Sequence, residues 1–309
     1  MLNASLPEIR AVALRHIALG SVAFLPRDTR LRLERRMRGR EEYRKLQEAD
    51  WVLMSWGKSG RTWFRVMMSR FYQIHFGLPT EHMLEFDNYH RLDSRAPKVL
   101  FSHNNYMRDY LRQWDSLAHF RGTRVVLLVR DPRDVAVSQY FQWRYRMRPN
   151  KKALNAYPPH GAEVDIFDFV SNPDCGIPRI IDWLNGWARA MPMMGADLCL
   201  IRYEDMRVDP GTALDTAMRF TGTPGTDEEI AAARDYAAYE NMKKREETRE
   251  GMRASGQRVR PGDEGNPDSF KVRRGKIGGY RDYFEPDQIR EIDGMVEDRL
   301  DPVFDYSGI

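Results

Sequence analysis

Cysteine is scarce in this chain, long apolar runs are missing, and charge of one sign hardly outweighs the other. Two cysteines in 309 residues, Cys175 in a Pro/Gly loop and Cys199 in an apolar run, are too few for a disulfide framework, so a reducing compartment, the cytoplasm, is the expectation. No stretch reaches the ~18 apolar residues that a spanning helix needs. The nearest one, Ala11 to Leu25, is broken by Arg15 and His16 and lacks a clear small-residue cleavage site after it, so it is not expected to be a signal peptide. Forty-nine basic against 45 acidic residues leave a net charge of +4, enough to suggest anionic ligands and too little to imply nucleic acid. No internal repeat or low-complexity tract is visible. The histidines, at 16, 75, 82, 90, 103, 119 and 160, have no paired spacing with cysteine or carboxylate, so no metal is expected.

What is present is a globular composition, 42% hydrophobic and 30% charged, on a chain long enough to bury a substantial core. Its organising stretch begins at Trp51-Val52-Leu53-Met54-Ser55, a short apolar run of the type a buried parallel strand shows. The chain then turns through Gly57-Lys58-Ser59-Gly60 and resumes with apolar residues at 63, 67, 71 and 74, the period of a helix face. Strand, glycine turn and helix together make a phosphate site: first-turn N–H groups lack intrahelical partners at the positive end of the helix dipole, and the glycines let an anion approach. Lys58 adds a mobile full charge, while Ser59 and Thr62 add hydroxyl donors. The nucleotide-triphosphate loop is excluded on spacing, because it needs a glycine five residues before the glycine of its Gly-Lys pair and position 52 is Val.

Three more apolar runs follow, each ending in polar residues: Pro97 to His103, Arg124 to Val129 leading into Arg130-Asp131-Pro132-Arg133-Asp134, and Leu198 to Ile201 leading into Arg202-Tyr203-Glu204-Asp205. Helical patterns lie between them, notably from Arg179 to Met191. This alternation predicts an α/β fold, a central parallel sheet flanked by helices. Ligands bind beyond the carboxyl ends of such strands, where Lys58, His103, Arg130 and Tyr203 all fall.

Residues 1–48 read as a basic helical extension ahead of a domain at 49–309. Nine basic residues between Arg27 and Lys45 face Asp28, Glu34, Glu41 and Glu42, either as a solvated helix laced with ion pairs or as a candidate for peripheral contact with anionic lipid or acceptor. Thr226 with Glu229 forms a capping box opening a helix to about Lys244. Residues 247–269, charged and glycine-rich with Pro261 and Pro267, predict a mobile loop, and Glu285-Pro286 opens the last helix.

These residues resemble a known family. Lys58-Ser59-Gly60-Arg61-Thr62-Trp63 is similar to the 5'-phosphosulfate loop of the sulfotransferases that use 3'-phosphoadenosine 5'-phosphosulfate, and Arg130 with Ser138 eight positions later is similar to their 3'-phosphate element. Tyr203-Glu204-Asp205-Met206 resembles the segment whose tyrosine contacts adenine, and Arg273-Arg274-Gly275 with Gly278 the late basic motif around the 3'-phosphate. The resemblance implies a P-loop-like fold carrying a phosphosulfate loop, that nucleotide as donor with its desulfonated bisphosphate as product, Trp63 stacking on adenine, and the strand-end His103 as base. The chain departs from the pattern at Gly57, where proline is usual, at Arg61, where threonine is usual in vertebrate cytosolic enzymes, at Phe101, where a lysine often stands, and at Ala237 and Ala238, which leave Tyr239 as the carried-over nucleotide contact.

Sulfuryl transfer, like phosphoryl transfer, depends on positioning and charge stabilisation. Lys58 is the candidate to meet the bridging oxygen as charge builds there, and His103 to take the proton of an attacking hydroxyl or amine. The acceptor is open between a small molecule, a lipid, a carbohydrate and a peptide, and a homo-oligomer is open too. The competing readings are a small-molecule kinase on the same fold and a non-catalytic nucleotide-binding protein at a membrane surface.

Overall fold

Trp51–Ser55 (β1) is buried at all five positions because it runs through the interior of the sheet. The computed structural model describes residues 6–114, 116–247, 265–270 and 275–306. Two N-terminal helices, α1 (Leu6–Ser21) and α2 (Arg27–Glu48), precede β1, and α3 (Arg61–His75) follows it. Then come β2 (Val99–Ser102), α4 (Met107–Leu111), β3 (Arg124–Val129), α5 (Pro132–Tyr145), α6 (Pro149–Leu154), α7 (Ile166–Ser171) and α8 (Ile177–Met194). β4 (Leu198–Arg202), α9 (Tyr203–Val208), α10 (Pro210–Thr221), α11 (Asp227–Tyr236), α12 (Tyr239–Glu247) and the C-terminal helix Pro286–Arg299 complete the order. Among the described residues no helix is long and apolar enough to cross a membrane.

The four strands run parallel in the order β2-β1-β3-β4, with Trp51 opposite Val99 on one side and Arg124 on the other, and Val125 opposite Leu198. This is the α/β architecture that the alternating pattern predicts. Successive residues of a strand face opposite sides, which separates two cores. Val52, Met54, Val125, Leu127 and Val129 pack on α5 and α8, whereas Trp51, Leu53, Val126 and Leu128 pack with Phe64, Met67 and Phe71 of α3 and Leu214 of α10. Burial of apolar area on this scale, at roughly 25 cal/mol per Å2, is the main stabilising contribution.

A buried ion pair just past the carboxyl end of β3 reaches the C-terminal helix. Arg133, 1% exposed, donates to both carboxylate oxygens of Asp131, to Asp293 of the C-terminal helix at 2.7 Å and to the Tyr306 carbonyl at 3.0 Å. The planar five-donor fork suits such a junction, and its pairing is what makes a buried cation tolerable.

One helix departs from expectation. The Thr226–Glu229 capping box is present, yet the helix it opens stops at Tyr236, and α12 starts only after a break at Ala237 and Ala238. There the Ala237 carbonyl accepts from the Trp63 indole N–H at 2.8 Å. Arg273 and Arg274, and residues 248–264 of the expected mobile loop, lie outside the described residues.

α2 is wedged against the sheet's β2 edge. Gly39 lets it approach α4, where an added Cβ would stand 2.2 Å from the Tyr106 carbonyl oxygen. Arg35 holds Asp109 with bonds of 2.8 and 3.2 Å and reaches the carbonyls of Asn105 and Leu154. The Ser102 hydroxyl at the end of β2 donates to the Glu42 carboxylate, and burial raises the Glu42 pKa above its ordinary 4.5 although Ser102, Arg61, Lys151 and Lys45 oppose the rise. Arg32, Arg36 and Arg40 of the same helix are exposed.

Two outcomes follow. Gly39→Leu should lose about 1–3 kcal/mol by forced overpacking, read as a lower urea midpoint, and an unchanged midpoint would contradict this packing account. A carboxyl whose folded pKa is raised favours the folded state below its unfolded pKa and loses that contribution as pH climbs through the folded value. The melting temperature of Glu42→Gln should therefore gain on the natural protein as pH rises above the ordinary carboxylate range. A gap that stays flat or narrows with rising pH would show that burial does not dominate at Glu42.

Candidate active site

The connection from β1 to α3 is a tight turn with two residues in the left-handed region, Lys58 at φ 75° and Gly60 at φ 89°. For lysine that conformation costs on the order of 1–3 kcal/mol, a strain that the surrounding structure must hold. Glycine is required at position 60, because a Cβ there would meet the Tyr203 ring at 2.5 Å. Gly60 is the N-cap of α3, no side chain caps that terminus, and no acid lies in the first turn. The N terminus is thereby left to an anion.

The parallel sheet does what the sequence pattern predicts: Lys58, His103, Arg130 and Tyr203, each just past a strand end, line one cavity of about 690 Å3. That is the size of a small-molecule site. Gly60, Arg61, Thr62, Trp63, Ser138 and Gly275 line it too. Ser59 is the exception within the loop: it is 1% exposed and stands outside the lining.

His103 is held at both nitrogens. Nδ1 is 2.5 Å from the Ser55 carbonyl oxygen, which can only accept, so Nδ1 carries the proton. In the neutral ring the lone pair is therefore on Nε2, and that nitrogen accepts from Nη2 of Arg61 at 2.7 Å. Ser55 ends β1 and Arg61 begins α3. The turn that forms the anion site thus also fixes the histidine tautomer.

Arg130 is clamped rather than mobile. It pairs with Asp134 at 3.2 Å, reaches the carbonyls of Lys58 and Lys276 at 3.4 and 3.3 Å, and its guanidinium carbon is 4.3 Å from the Tyr203 ring centroid. Asp134 in turn accepts the main-chain N–H groups of Gly278 and Tyr280, both at 3.0 Å, which brings the segment after Gly275 to the cavity. Burial raises the Asp134 pKa against the pull of Arg130, and burial likewise raises Tyr203, keeping it a neutral phenol. Trp63, tied to Ala237, meets Tyr203 edge-on with ring centroids 6.0 Å apart.

The sequence marks 27–45 as a candidate contact for an anionic lipid or acceptor and singles out none of the residues of the opposite wall. Arg38, Glu41, Glu42 and Lys45 of α2 line the same cavity, with Tyr106, Lys151 and Arg179 beside them. The run of charge at 27–45 was visible in the sequence, but only the wedge of α2 against Tyr106 turns part of it inward. Phe101 carries the Arg65 guanidinium 4.0 Å over its ring. Among the described residues no three His, Cys, Asp or Glu side chains are grouped to hold a metal ion.

Several known proteins are similar to this chain. The chain is 24% identical over 280 residues to Cytosolic sulfotransferase 15 of Arabidopsis thaliana, covering 82% of this chain and 72% of that one. It is 24% identical over 178 residues to human Sulfotransferase 2A1, covering 57% of this chain and 56% of that one. Among solved structures, mouse sulfotransferase SULT7A1 complexed with PAP superposes with a TM-score of 0.54 at 20% identity, over 84% of this chain and 89% of the mouse chain. Retinol dehydratase in complex with androsterone and PAP gives 0.55 at 16% identity, over 80% and 79%. The family profile of the sulfotransferase domain matches residues 48–303, which include the phosphate turn and the ends of all four strands, and the chain belongs to that family.

Proposed function

We propose that the protein transfers a sulfuryl group from 3'-phosphoadenosine 5'-phosphosulfate to a hydroxyl or amine of a small-molecule acceptor, in the cytoplasm, through a domain spanning 49–309. The observation that carries this reading is the convergence of Lys58, His103, Arg130 and Tyr203 on one cavity at the uncapped end of α3. The site suits a nucleotide with two anionic ends. The turn from Lys58 to Thr62 receives one end through its lysine, its hydroxyls and the α3 terminus, and Arg130 with Ser138 receives the other. Tyr203 and Trp63, packed edge to face, offer an aromatic wall to the adenine. Arg273, Arg274 and Gly275 complete the second end in this reading, by their likeness to the family's late basic motif.

The donor supplies an activated sulfuryl group, and the chain supplies charge and a base. Lys58 stabilises the phosphate oxygen released by the transfer, a contribution of the oxyanion-hole type. His103 takes the acceptor's proton on Nε2, the nitrogen left as acceptor by the bond to Ser55. That step has a precondition. Arg61 occupies the same lone pair, so it must leave before a proton can arrive, and the anionic donor offers it a competing partner. Arg61 in this reading delays the base until donor is bound, and then adds a cation beside the transferred group.

Titration calorimetry should show heat with adenosine 3',5'-bisphosphate and none with ATP; the reverse preference, with a magnesium requirement, would instead favour a kinase. Lys58→Ala should still bind the bisphosphate while losing ~100- to 1,000-fold in turnover. His103→Ala should lose about 100- to 10,000-fold, and undiminished transfer in either variant would remove that residue from the mechanism. Without donor, diethylpyrocarbonate should acylate His103 faster in Arg61→Ala than in the natural protein; equal rates would mean that the arginine does not mask the base.

A further inference from the structure

The N-terminal pair of helices shows solvent a surface that neither the core nor the cavity uses. In α1, Leu14 is 64% exposed and Ile17 68%, and Phe24, in the turn to α2, is 81% exposed. A surface helix ordinarily turns its polar residues outward. α1 does not. Arg15 is 7% exposed and pairs with Glu41 of α2, and Ile17, two positions or about 200° further round the helix, faces away from that contact. Ala18, Leu19 and Val22 are half-buried, so α1 is apolar on both sides. No Asp or Glu stands between Glu8 and Asp28, and the outward stripe carries no negative charge of its own.

α2 adds charge of one sign. Between Asp28 and Glu48 its exposed charges are Arg32, Arg36, Arg40 and Arg44, each four residues from the next and so along one strip of the helix. The carboxylates in that interval are withdrawn: Glu34 holds Arg38, Glu41 holds Arg15, and Glu42 accepts from Ser102. Arg44 pairs with Glu48 at 3.2 Å, whereas Arg32, Arg36 and Arg40 make no ion pair among the described residues. Arg38, which lines the cavity, is two positions from both Arg36 and Arg40 and therefore about 160° from each. One side of α2 serves the cavity and another presents arginines to solvent.

We propose that the protein docks on the surface of an anionic bilayer, with Leu14, Ile17 and Phe24 entering the boundary between headgroups and acyl chains and Arg32, Arg36 and Arg40 on the lipid phosphates. The sequence offers 27–45 for such a contact; the structure narrows the charged half to three arginines and puts the apolar half on α1. Peripheral binding needs two signals of this kind, since neither a few apolar side chains nor a few charges suffice alone. The guanidinium fork matches phosphate oxygens bidentately. A second copy of the chain fits less well, because an isologous pair brings the same surface of two copies together and would oppose arginine to arginine.

Co-sedimentation of the whole chain with vesicles tests the inference. Vesicles of phosphatidylcholine with about 30% phosphatidylserine should bind at least about tenfold more tightly than phosphatidylcholine alone, since each arginine near an anionic surface contributes about fivefold. Replacing Arg32, Arg36 and Arg40 together by Ala should abolish that margin, as should about 0.5 M salt. Replacing Leu14, Ile17 and Phe24 together by Ser should weaken binding to the anionic vesicles about tenfold or more. Neither set touches the proposed donor site, so both variants should bind adenosine 3',5'-bisphosphate as the natural protein does, which also reports that they fold. Should a triple variant not fold, Phe24→Ser and Arg36→Ala alone should each lose about threefold or more. Equal binding to both vesicles, binding to neither, or variants that sediment like the natural protein overturn the inference. So does a dimer in light scattering that the Leu14, Ile17 and Phe24 replacements dissolve, which would give the surface to a second copy. The sulfotransferase reading is separate: a protein that binds vesicles but not the bisphosphate would lose that reading and keep this one.

Discussion

The parallel register of β1 between β2 and β3 is the constraint from which the site follows. Parallel strands end on a common edge, so Trp51 opposite both Val99 and Arg124 fixes where Lys58, His103 and Arg130 emerge. No loop has to carry these groups across the molecule. Because side chains alternate by face, a slip of one residue would exchange the Val52 and Leu53 faces between the two cores. The apolar packing that stabilises the sheet is thus also what sets the spacing of the cations, and stability and geometry cannot be tuned separately here.

The tie between Ser55 and His103 carries that constraint into chemistry. A carbonyl at the end of one strand dictates which nitrogen of the neighbouring strand's histidine holds its proton. The arginine that opens the next helix then covers the other nitrogen. Fixed main-chain groups thus decide the tautomer, and a side chain that can rotate decides access to it. In the proposed mechanism the first arrangement is permanent and the second responds to the donor, which matches the different freedoms of a carbonyl in a sheet and a guanidinium on a long stem.

The donor half of the cavity was legible in the sequence because its determinants are local. A turn between a strand and a helix must be written in consecutive residues, and Arg130, just past β3, stands eight positions before Ser138 in the helix that follows. The four strands could be found for the same reason, as short apolar runs ending in polar residues. What could not be read is long-range. The contact of Arg61 with His103 joins residues 42 positions apart, and the break at Ala237 coincides with the indole of Trp63, 174 positions away. The sequence around Thr226 predicts a helix correctly and gives no sign of where a distant tryptophan will meet it. Ser59 shows a subtler limit: composition marks it as a donor, but the turn tucks it beneath the site.

The far wall was illegible for a further reason, which bears on how such a fold changes its acceptor. α2 has nine basic residues, and nothing in their spacing separates Lys45, which lines the cavity, from Arg40, which faces solvent. The distinction is made by Gly39, whose missing Cβ allows the close approach to Tyr106 that turns one side of the helix inward. Of its inward charges, Glu42 is tied to Ser102 at the end of β2, whereas Lys45 rests over the Phe86 ring. The donor site, by contrast, is built from main chain and strand ends and has little room to vary. Under the proposed reading, α2 supplies the wall opposite the donor, so a change of inward residue there alters which molecule is sulfated while the groups at Lys58 and His103 stay the same.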